Sequence, residues 1–468
     1  MKYKQEIQKY FDQHWFDMMQ DVARICNINS EKMPPKEGMP FGEGPYQALC
    51  EFGEIAKEKG FSMKTYGNAV GSIDLSDAPR QLDILAHLDI VPAGEGWTVT
   101  QPFNVIMKDG KIYGRGTADD KGPAIVALWA LKCVKDLGIK LSKSARVVVG
   151  TDEECGSGDL PFYYAEEPEA PMTFSPDAEY PVINTEKGAF RPEFYARWEE
   201  DKTIPRITSM SGSLKMNVLP RKAYATVEGF SVEEMAKIGE EMTAKTGVQY
   251  LLEQFGEEVK ITAIGEGAHA ASPEKGNNAL TALIEYLCEL PLAPSEATSK
   301  LLALKKLFPH KDSWGEAIGV EMEDEISGIL TLTFSMMNWN KTGFTGQFDS
   351  RVPLCANDEN MRKIVQKKLA EEGIMLDDSE MIPPHHVSED SPFVKELLAV
   401  YEGYTGQKGR CIAIGGGTYV HHLNNGVAFG CAMPGTDNRM HGADEYAVIE
   451  ELIVSAKMFA QIVVDLCE

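Results

Sequence analysis

Hydrophobic and polar residues recur with two different periods, which predict helices and strands in a definite order along the chain. Apolar residues recur at helical spacing over 5–27 and 44–60, and a further helix over 121–138 carries proline near its first turn. The segments 81–92 and 145–154 are short runs rich in leucine, isoleucine and valine, as in buried strands. The order strand, helix, strand predicts a parallel sheet flanked by helices, and therefore an α/β fold.

The middle of the chain has a different pattern. Between residues 186 and 384, segments such as KAYATVEGF and VKITAIGEG alternate apolar and polar residues, and amphipathic helices such as SVEEMAKIGEEMTAKTG lie between them. This alternation is typical of antiparallel strands with one exposed face. A helix, a buried strand and a terminal helix then follow. We therefore predict one domain from residues 1–185 and 385–468, with a second, α+β domain, residues 186–384, inserted into it.

Charge and composition narrow the class of protein. Among 468 residues, 71 Asp and Glu outnumber 46 Lys and Arg, and the formal charge of -25 repels phosphate backbones and anionic membranes. We therefore expect no nucleic-acid or membrane partner. The amino terminus lacks an apolar run of signal-peptide length, and the nine cysteines are scattered without a CxxC pair. These features predict a cytoplasmic protein with reduced thiols.

Candidate ligands for a metal ion stand at the predicted strand ends. His87 and Asp89 lie two residues apart at the end of the first buried strand, so both side chains should point to the same face. Asp119, in GRGTADDKGP, stands just before a helix. Glu153 and Glu154 end the next strand, where adjacent side chains should point in opposite directions and could divide the work of a ligand and a base.

Two more candidates follow along the chain, Asp177 in SPDAEYPV and His441 in MHGADE. Ligands bind at the carboxyl ends of the strands in open α/β sheets, and the candidates are expected to meet there. Two histidines with several carboxylates suit a pair of divalent ions about 3.5–4 Å apart that share one carboxylate and activate a water molecule.

The order of these motifs resembles a known superfamily. HLD, GRGxxDDKGP, DEExG, SPD and MHGADE look like the motifs of the aminoacylase and carboxypeptidase-G type of di-metal peptidases. Within it, HLDIVP, GTDEECGSGD, IGGGTYV and the chain length are most similar to the PepV-like dipeptidases, also called Xaa-His or carnosinase-like dipeptidases. The resemblance covers essentially the whole chain and implies hydrolysis of dipeptides that have a free amino terminus.

The resemblance implies a ligand set for two ions. One ion would be bound by His87, Asp119 and Asp177, and the other by Asp119, Glu154 and His441. Asp119 would bridge the ions. Zinc is the expected metal, and manganese and cobalt accept the same nitrogen and oxygen ligands.

The resemblance also implies roles for residues beside the ligands. Glu153 would be the general base, and Asp89 would orient the imidazole of His87. The family has a cis peptide after the bridging aspartate, which is expected in this chain between Asp119 and Asp120.

Three residues of the inserted domain match the substrate-binding residues of the superfamily's lid. Asn217 lies in KMNVLP, His269 in EGAHAASPEKGNNAL and Arg351 in FDSRVP. The resemblance implies that the histidine stabilises the oxyanion and the arginine binds the substrate carboxylate. Because the lid is long, we expect a monomer whose active site is completed within one chain.

Other functions are compatible with the same motifs. An N-acyl amino acid deacylase or desuccinylase would use the same metals and base, with a different pocket. A metal-binding scaffold without activity is disfavoured because Glu153 stands beside Glu154. IGGGTYV lacks the spacing of a phosphate loop. The remaining histidines near the motifs are interpreted as non-ligands: His385, His386, His421 and His422.

Overall fold

The computed structural model describes residues 1–213 and 215–468 and divides the chain into two compact units. Unit 1 comprises Met1–Thr185 and His386–Glu468, and unit 2 comprises Glu186–His385. Each unit has its own hydrophobic core. Among the described residues, no helix is both long and apolar enough to cross a membrane.

The first part of the chain contains four α-helices and eight strands. In chain order they are α1 (Lys4–Cys26), α2 (Glu43–Glu58), β1 (Met63–Tyr66), β2 (Val70–Asp74), β3 (Arg80–His87), β4 (Ile106–Lys108), β5 (Lys111–Tyr113), α3 (Lys121–Asp136), β6 (Ser144–Gly150), α4 (Leu160–Tyr164), β7 (Met172–Ser175) and β8 (Val182–Glu186).

The middle part contains β9 (Gly188–Phe190), β10 (Glu193–Arg197), β11 (Arg206–Ser211), β12 (Val218–Leu219), β13 (Lys222–Glu228), α5 (Val232–Thr246), β14 (Gln249–Phe255), β15 (Glu258–Ile264), β16 (Ala268–His269), α6 (Ala279–Cys288), α7 (Glu296–Leu307), β17 (Glu323–Asp324), β18 (Gly328–Ile329), β19 (Thr331–Asn340), β20 (Gly343–Val352), α8 (Arg362–Glu371) and β21 (Met375–Leu376). The last part contains β22 (His385–His386), α9 (Pro392–Thr405), β23 (Cys411–Ile414), β24 (Gly426–Ala428), β25 (Tyr446–Val448) and α10 (Ile449–Cys467).

The central sheet of unit 1 is mostly parallel, as the sequence predicts. Strands β6, β3, β7 and β24 lie side by side in parallel register, and β2 and β8 extend the sheet in antiparallel pairing. The order β3, α3, β6 forms the expected strand–helix–strand unit. The parallel strands therefore bring their carboxyl ends to one edge of the sheet.

Both faces of this sheet are covered, which explains why apolar residues occur at consecutive positions in its parallel strands. Ile84 and Val147 belong to the large core formed with α1, α3, α9 and α10. Their neighbours Leu85 and Val148 belong to a smaller cluster on the other face. Successive side chains of a strand point to opposite faces, so a strand that is covered on both sides has no polar alternation.

Unit 2 is an antiparallel α+β structure, as the alternating pattern predicts. Its main sheet runs in the order β14, β15, β13, β11, β19, β20, β10, β21, with β9 beside β20. In β13 and β15 every second residue is buried, and these residues pack on α6. The structure thus confirms an α/β fold with a mostly parallel sheet and an additional antiparallel α+β unit.

Candidate metal centre

The edge of the unit 1 sheet positions most of the candidate ligands. His87 is the last residue of β3, and Asp177 follows β7 by two residues. Glu153 and Glu154 follow the end of β6. Because β3, β6 and β7 are parallel neighbours, these side chains start from the same edge of the sheet.

The remaining ligand candidates come from two loops. Asp119 immediately precedes Asp120, the N-cap residue of α3, and the Asp119–Asp120 peptide bond is cis, as the resemblance implies. His441 lies in the loop before β25 and adopts a left-handed backbone conformation, with φ of 61°. Non-glycine residues adopt this conformation only rarely.

The candidate ligands form two groups that share Asp119. In one group, His87 Nε2 lies 3.0 Å from Asp119 Oδ1 and 3.7 Å from Asp177 Oδ2. In the other, His441 Nε2 lies 2.9 Å from Asp119 Oδ2 and 3.3 Å from Glu154 Oε1. Within each group the ligand atoms lie within 4.8 Å of one another. The two oxygens of Asp119 thus face different histidines.

The donor set and its unsatisfied atoms fit divalent cations. Each group offers one imidazole nitrogen and two carboxylates, which are ligands for zinc and similar ions. His87 Nε2 and Glu154 Oε1 are buried, and neither makes a hydrogen bond of normal geometry among the described residues. A buried polar atom without a partner is unfavourable, and a metal ion would satisfy both atoms. Their assignment as metal ligands remains a prediction.

Asp89 connects two parts of the site. Its carboxylate lies 3.4 Å from His87 Nδ1, and the backbone carbonyl of Asp89 lies 3.1 Å from the same nitrogen. The two carboxylate oxygens also accept hydrogen bonds from the backbone N–H groups of Glu153 and Glu154, each at 3.1 Å. Asp89 is therefore placed to orient the imidazole and to hold the turn that carries both glutamates.

The local structure at Glu153 and Glu154 differs from the expectation. Strand β6 ends at Gly150, and the two glutamates lie in a 3₁₀ turn, Glu153–Cys155. The expectation that adjacent side chains point in opposite directions applies to strands and does not hold in a turn. The Asp89 hydrogen bonds explain the turn, because they draw two successive N–H groups toward one carboxylate.

Burial and the neighbouring carboxylates shift the pKa values of groups in the site. Burial raises the pKa of Glu153 well above its usual value, and the nearby carboxylates of Asp177 and Glu154 raise it further. Hydrogen bonds to Asp119 and Glu154 raise the pKa of His441 to about 11. Bound cations would reverse these effects, because they favour carboxylates in the charged form and histidines in the neutral form.

A cleft of about 530 Å³ opens beside the candidate ligands in unit 1. Asp119, Glu153, Glu154, Asp177 and His441 all line it. Residues 416–418 of the IGGGTYV motif form part of the wall of this cleft. This position is consistent with a tight strand-to-helix turn that lines a pocket. The two metal-ligand groups contain none of the four other histidines near the sequence motifs: His385, His386, His421 and His422.

Asn217 and His269 lie on paired segments of unit 2. His269 belongs to β16, which pairs with β12, and the N–H of Ala270 donates to the backbone carbonyl of Asn217 at 2.9 Å. The N–H of Ala271 donates to His269 Nδ1 at 3.1 Å. An accepting Nδ1 requires the proton of the neutral imidazole to be on Nε2, so this nitrogen is a hydrogen-bond donor.

Arg351 lies near the end of β20 and is buried. Its Nε and Nη2 donate to the two carboxylate oxygens of Asp349 at 2.7 and 2.9 Å. Asp349 also lies 3.3 Å from Arg191 Nε. The bidentate pair compensates the charge of Arg351 and fixes the plane of its guanidinium group.

A family model for peptidase family M20/M25/M40 matches residues 84–465, which include all the candidate ligands and, apart from the first residues of β3, the parallel strands. The chain belongs to peptidase family M20/M25/M40. It is therefore a hydrolase of peptide bonds. The match also includes the inserted unit 2.

Relatives within this family are similar over nearly the whole chain. The chain is 34% identical over 458 residues to the putative dipeptidase YtjP of Bacillus subtilis, with 97% of each chain covered. It is also 34% identical over 454 residues to the Beta-Ala-Xaa dipeptidase of Lactobacillus delbrueckii subsp. lactis, with 96% of each covered. Human carnosine dipeptidase 1 shares the fold, with a TM-score of 0.62 and 14% identity, over 100% of this chain and 99% of that one.

Arg115 and Glu445, which form an ion pair beside Asp119, are not among the site residues predicted from the sequence. Both residues lie inside the motifs GRGTADDKGP and MHGADE. Their position in these motifs suggested that they lie near the site. The ion pair between them joins residues 330 positions apart in the sequence, so it can be identified only from the folded structure.

Proposed function

We propose that this M20-family protein hydrolyses dipeptides that have a free amino terminus, with a water molecule activated by two divalent metal ions. The observation that carries the proposal is the pair of three-residue ligand groups that share Asp119 and line the same cleft as Glu153. Two relatives that match nearly the whole chain, a putative dipeptidase and a Beta-Ala-Xaa dipeptidase, support dipeptides as the substrate class.

We propose the same metal ligands that the sequence resemblance implies. His87, Asp119 and Asp177 would bind one ion, and Asp119, Glu154 and His441 the other. Two ions bound there would supply Lewis acidity for the attacking water and the scissile carbonyl. Zinc suits the mixed nitrogen and oxygen ligands, and manganese and cobalt are the alternatives that metal reconstitution distinguishes.

Glu153 is proposed as the general base. It lines the cleft beside the ligands, and Asp89 holds its backbone through a 3.1 Å hydrogen bond. Its carboxylate would take a proton from the attacking water and return it to the leaving amine when the amide bond breaks. A base held by a fixed turn keeps its orientation through both proton transfers.

Unit 2 is proposed to act as the lid, with three residues that contact the substrate: Asn217, His269 and Arg351. The tautomer fixed by the Ala271 N–H leaves His269 Nε2 as a donor, which suits stabilisation of an oxyanion. Arg351, oriented by Asp349, would bind the terminal carboxylate of the substrate. We propose further that the protein is a cytoplasmic monomer that completes its site within one chain.

A substrate panel tests the proposed function. We expect turnover of Ala- and β-Ala-dipeptides by the zinc-loaded protein, with much slower turnover of tripeptides and N-acyl amino acids. Preference for N-acyl amino acids would instead indicate the deacylase or desuccinylase activity.

The Arg351→Ala variant tests carboxylate recognition. Loss of a charge-assisted pair should reduce kcat/KM for dipeptides by about 10- to 100-fold, and dipeptide amides should be affected much less. Arg197→Ala, at an exposed position of β10, is the matched control and should leave both substrates unaffected. Equal losses for dipeptides and their amides in Arg351→Ala would contradict the assignment.

A further inference from the structure

Glu445 is a fully buried carboxylate beside the loop that carries Asp119. Its Oε1 accepts hydrogen bonds from the backbone N–H groups of Gly116 at 3.0 Å, Ala118 at 3.1 Å and Asp119 at 3.3 Å. One oxygen thus gathers three N–H groups of a single loop. This arrangement fixes the backbone at the residue whose side chain bridges the two ligand groups.

The other carboxylate oxygen of Glu445 pairs with a buried arginine. Oε2 accepts from Nη1 of Arg115, whose side chain is as buried as that of Glu445. Nη2 of Arg115 lies 3.1 Å from the carbonyl of Gly442, the residue after His441. The same nitrogen also lies 3.3 Å from the carbonyl of Ala93. The ion pair therefore joins the Asp119 loop to the loop that carries His441.

Backbone hydrogen bonds join these two segments only as far as the ends of the paired strands. Strands β5 and β25 pair as far as Tyr113 and Tyr446, and the N–H of Gly114 donates to the carbonyl of Glu445 at 3.0 Å. The paired strands end there. Beyond them, the Glu445 carboxylate holds the Asp119 loop and the Arg115 guanidinium holds Gly442.

We propose that Glu445 is a positioning residue of the metal centre, which with Arg115 sets the separation of Asp119 and His441. The positioning role rests on the proposed function, because it requires the two-ion centre. The Asp119–Glu154–His441 group contains both residues that Glu445 and Arg115 position, Asp119 and His441. The affinity of this group for metal therefore depends on Glu445 more strongly than that of the other group. The group that contains His87 includes only one of these two residues, Asp119, so its affinity for metal depends less on Glu445.

Two variants test the charge and the length of the Glu445 side chain separately. Glu445→Gln keeps the length of the side chain but places an amide against Arg115, which leaves a buried cation without its partner. Glu445→Asp keeps the charge but is one methylene shorter, so its carboxylate cannot reach Arg115 and all three loop N–H groups. Asp83→Asn is the matched control, because it removes another buried carboxylate of unit 1, at a position in β3 away from the metal ligands.

The measurement is the affinity of each protein for Zn²⁺ in chelator-buffered solutions, with the bound zinc counted per chain. We expect Glu445→Gln and Glu445→Asp to weaken binding of one ion by about 10- to 100-fold, as is typical when residues that orient metal ligands are changed. Asp83→Asn should bind zinc as the wild type does. Circular dichroism and thermal unfolding of the metal-free proteins report any general loss of folding.

Each outcome decides one of the two proposals. Zinc affinity equal to that of the wild type in folded Glu445→Asp would overturn the positioning role, even if the melting temperature fell. If Glu445→Gln does not fold, Glu445→Asp decides, because it retains the charge opposite Arg115. Failure of the wild-type protein to bind zinc, manganese or cobalt would instead overturn the proposed metal centre itself.

Discussion

The carboxylate of Asp89 accepts a hydrogen bond from the backbone N–H of Glu153 at 3.1 Å. The same carboxylate lies 3.4 Å from Nδ1 of His87. One buried side chain therefore connects a proposed metal ligand to the proposed general base. In the proposed mechanism, the relative position of these two groups affects proton transfer from the attacking water, so Asp89 would contribute to both metal binding and base catalysis.

Replacement of Asp89 by asparagine tests this double role. Asparagine keeps the volume but turns one acceptor oxygen into a donor. In either orientation of the amide, one backbone N–H of the Glu153–Glu154 turn loses its acceptor, and in one orientation His87 also loses its carboxylate neighbour. We expect zinc affinity or kcat to fall by about 10- to 100-fold. Zinc titration and steady-state kinetics at saturating zinc measure the two effects separately. Wild-type values of both quantities would show that Asp89 is not needed for either role.

Glu153→Gln tests the general base. The variant should bind zinc as the wild type does, while kcat falls by about 10²–10⁴-fold, because a positioned base contributes that much to proton transfer. Glu154→Gln is the matched control at the adjacent position and should lose zinc affinity. The opposite result, with zinc lost in Glu153→Gln and retained in Glu154→Gln, would mean that the two roles are exchanged.

His269→Ala tests whether His269 is the oxyanion donor and whether it acts within its own chain. Loss of one such donor should lower kcat by about 10²–10³-fold with little change in zinc affinity. If the histidine acts within its own chain, mixtures of His269→Ala and Glu153→Gln protein remain inactive after dissociation and reassembly. Recovery of a substantial fraction of wild-type activity in the mixture would show that a partner chain supplies the histidine.

We expect Asp83 to make the free energy of unfolding depend on pH, independently of catalysis. Burial raises the pKa of Asp83 to about 7, and this effect outweighs the opposing charges of Arg80 and Arg146. The folded protein then holds a proton that the unfolded chain releases, so stability falls as the pH rises from about 4 to about 7.

Asp83→Asn should remove this contribution. Between pH 5 and pH 8, the free energy of unfolding of the variant should rise relative to that of the wild type, by on the order of 1–3 kcal/mol. Urea denaturation at several pH values measures the difference. A difference that does not change with pH would contradict the raised pKa.

Hydrophobic patterning was sufficient to predict the fold, because both sheets follow simple rules of burial. The apolar runs of β3 and β6 predicted a parallel pair covered on both faces, and the alternation in β13 and β15 predicted an antiparallel sheet. The structure confirms both. Strand ends were less predictable, since the chain leaves β6 at Gly150 and hydrogen bonds from Asp89 shape the turn that follows.

The supporting contacts of the site could not be predicted in the same way. The pair of Arg115 and Glu445 and the pair of Arg351 and Asp349 depend on which charged side chains face each other in the folded protein. Periodicity reports only which face of an element is buried. Motif order indicated the candidate ligands, and their roles as ligands remain predictions that metal analysis can test.

Metal removal and reconstitution test the central claim most directly. Chelation followed by dialysis should give a protein without dipeptidase activity, and added zinc should restore the activity, which reaches its maximum at about two ions per chain. Bound zinc and the rate of Ala-dipeptide hydrolysis are measured on the same samples. Full activity in protein from which metal has been removed completely would contradict the account.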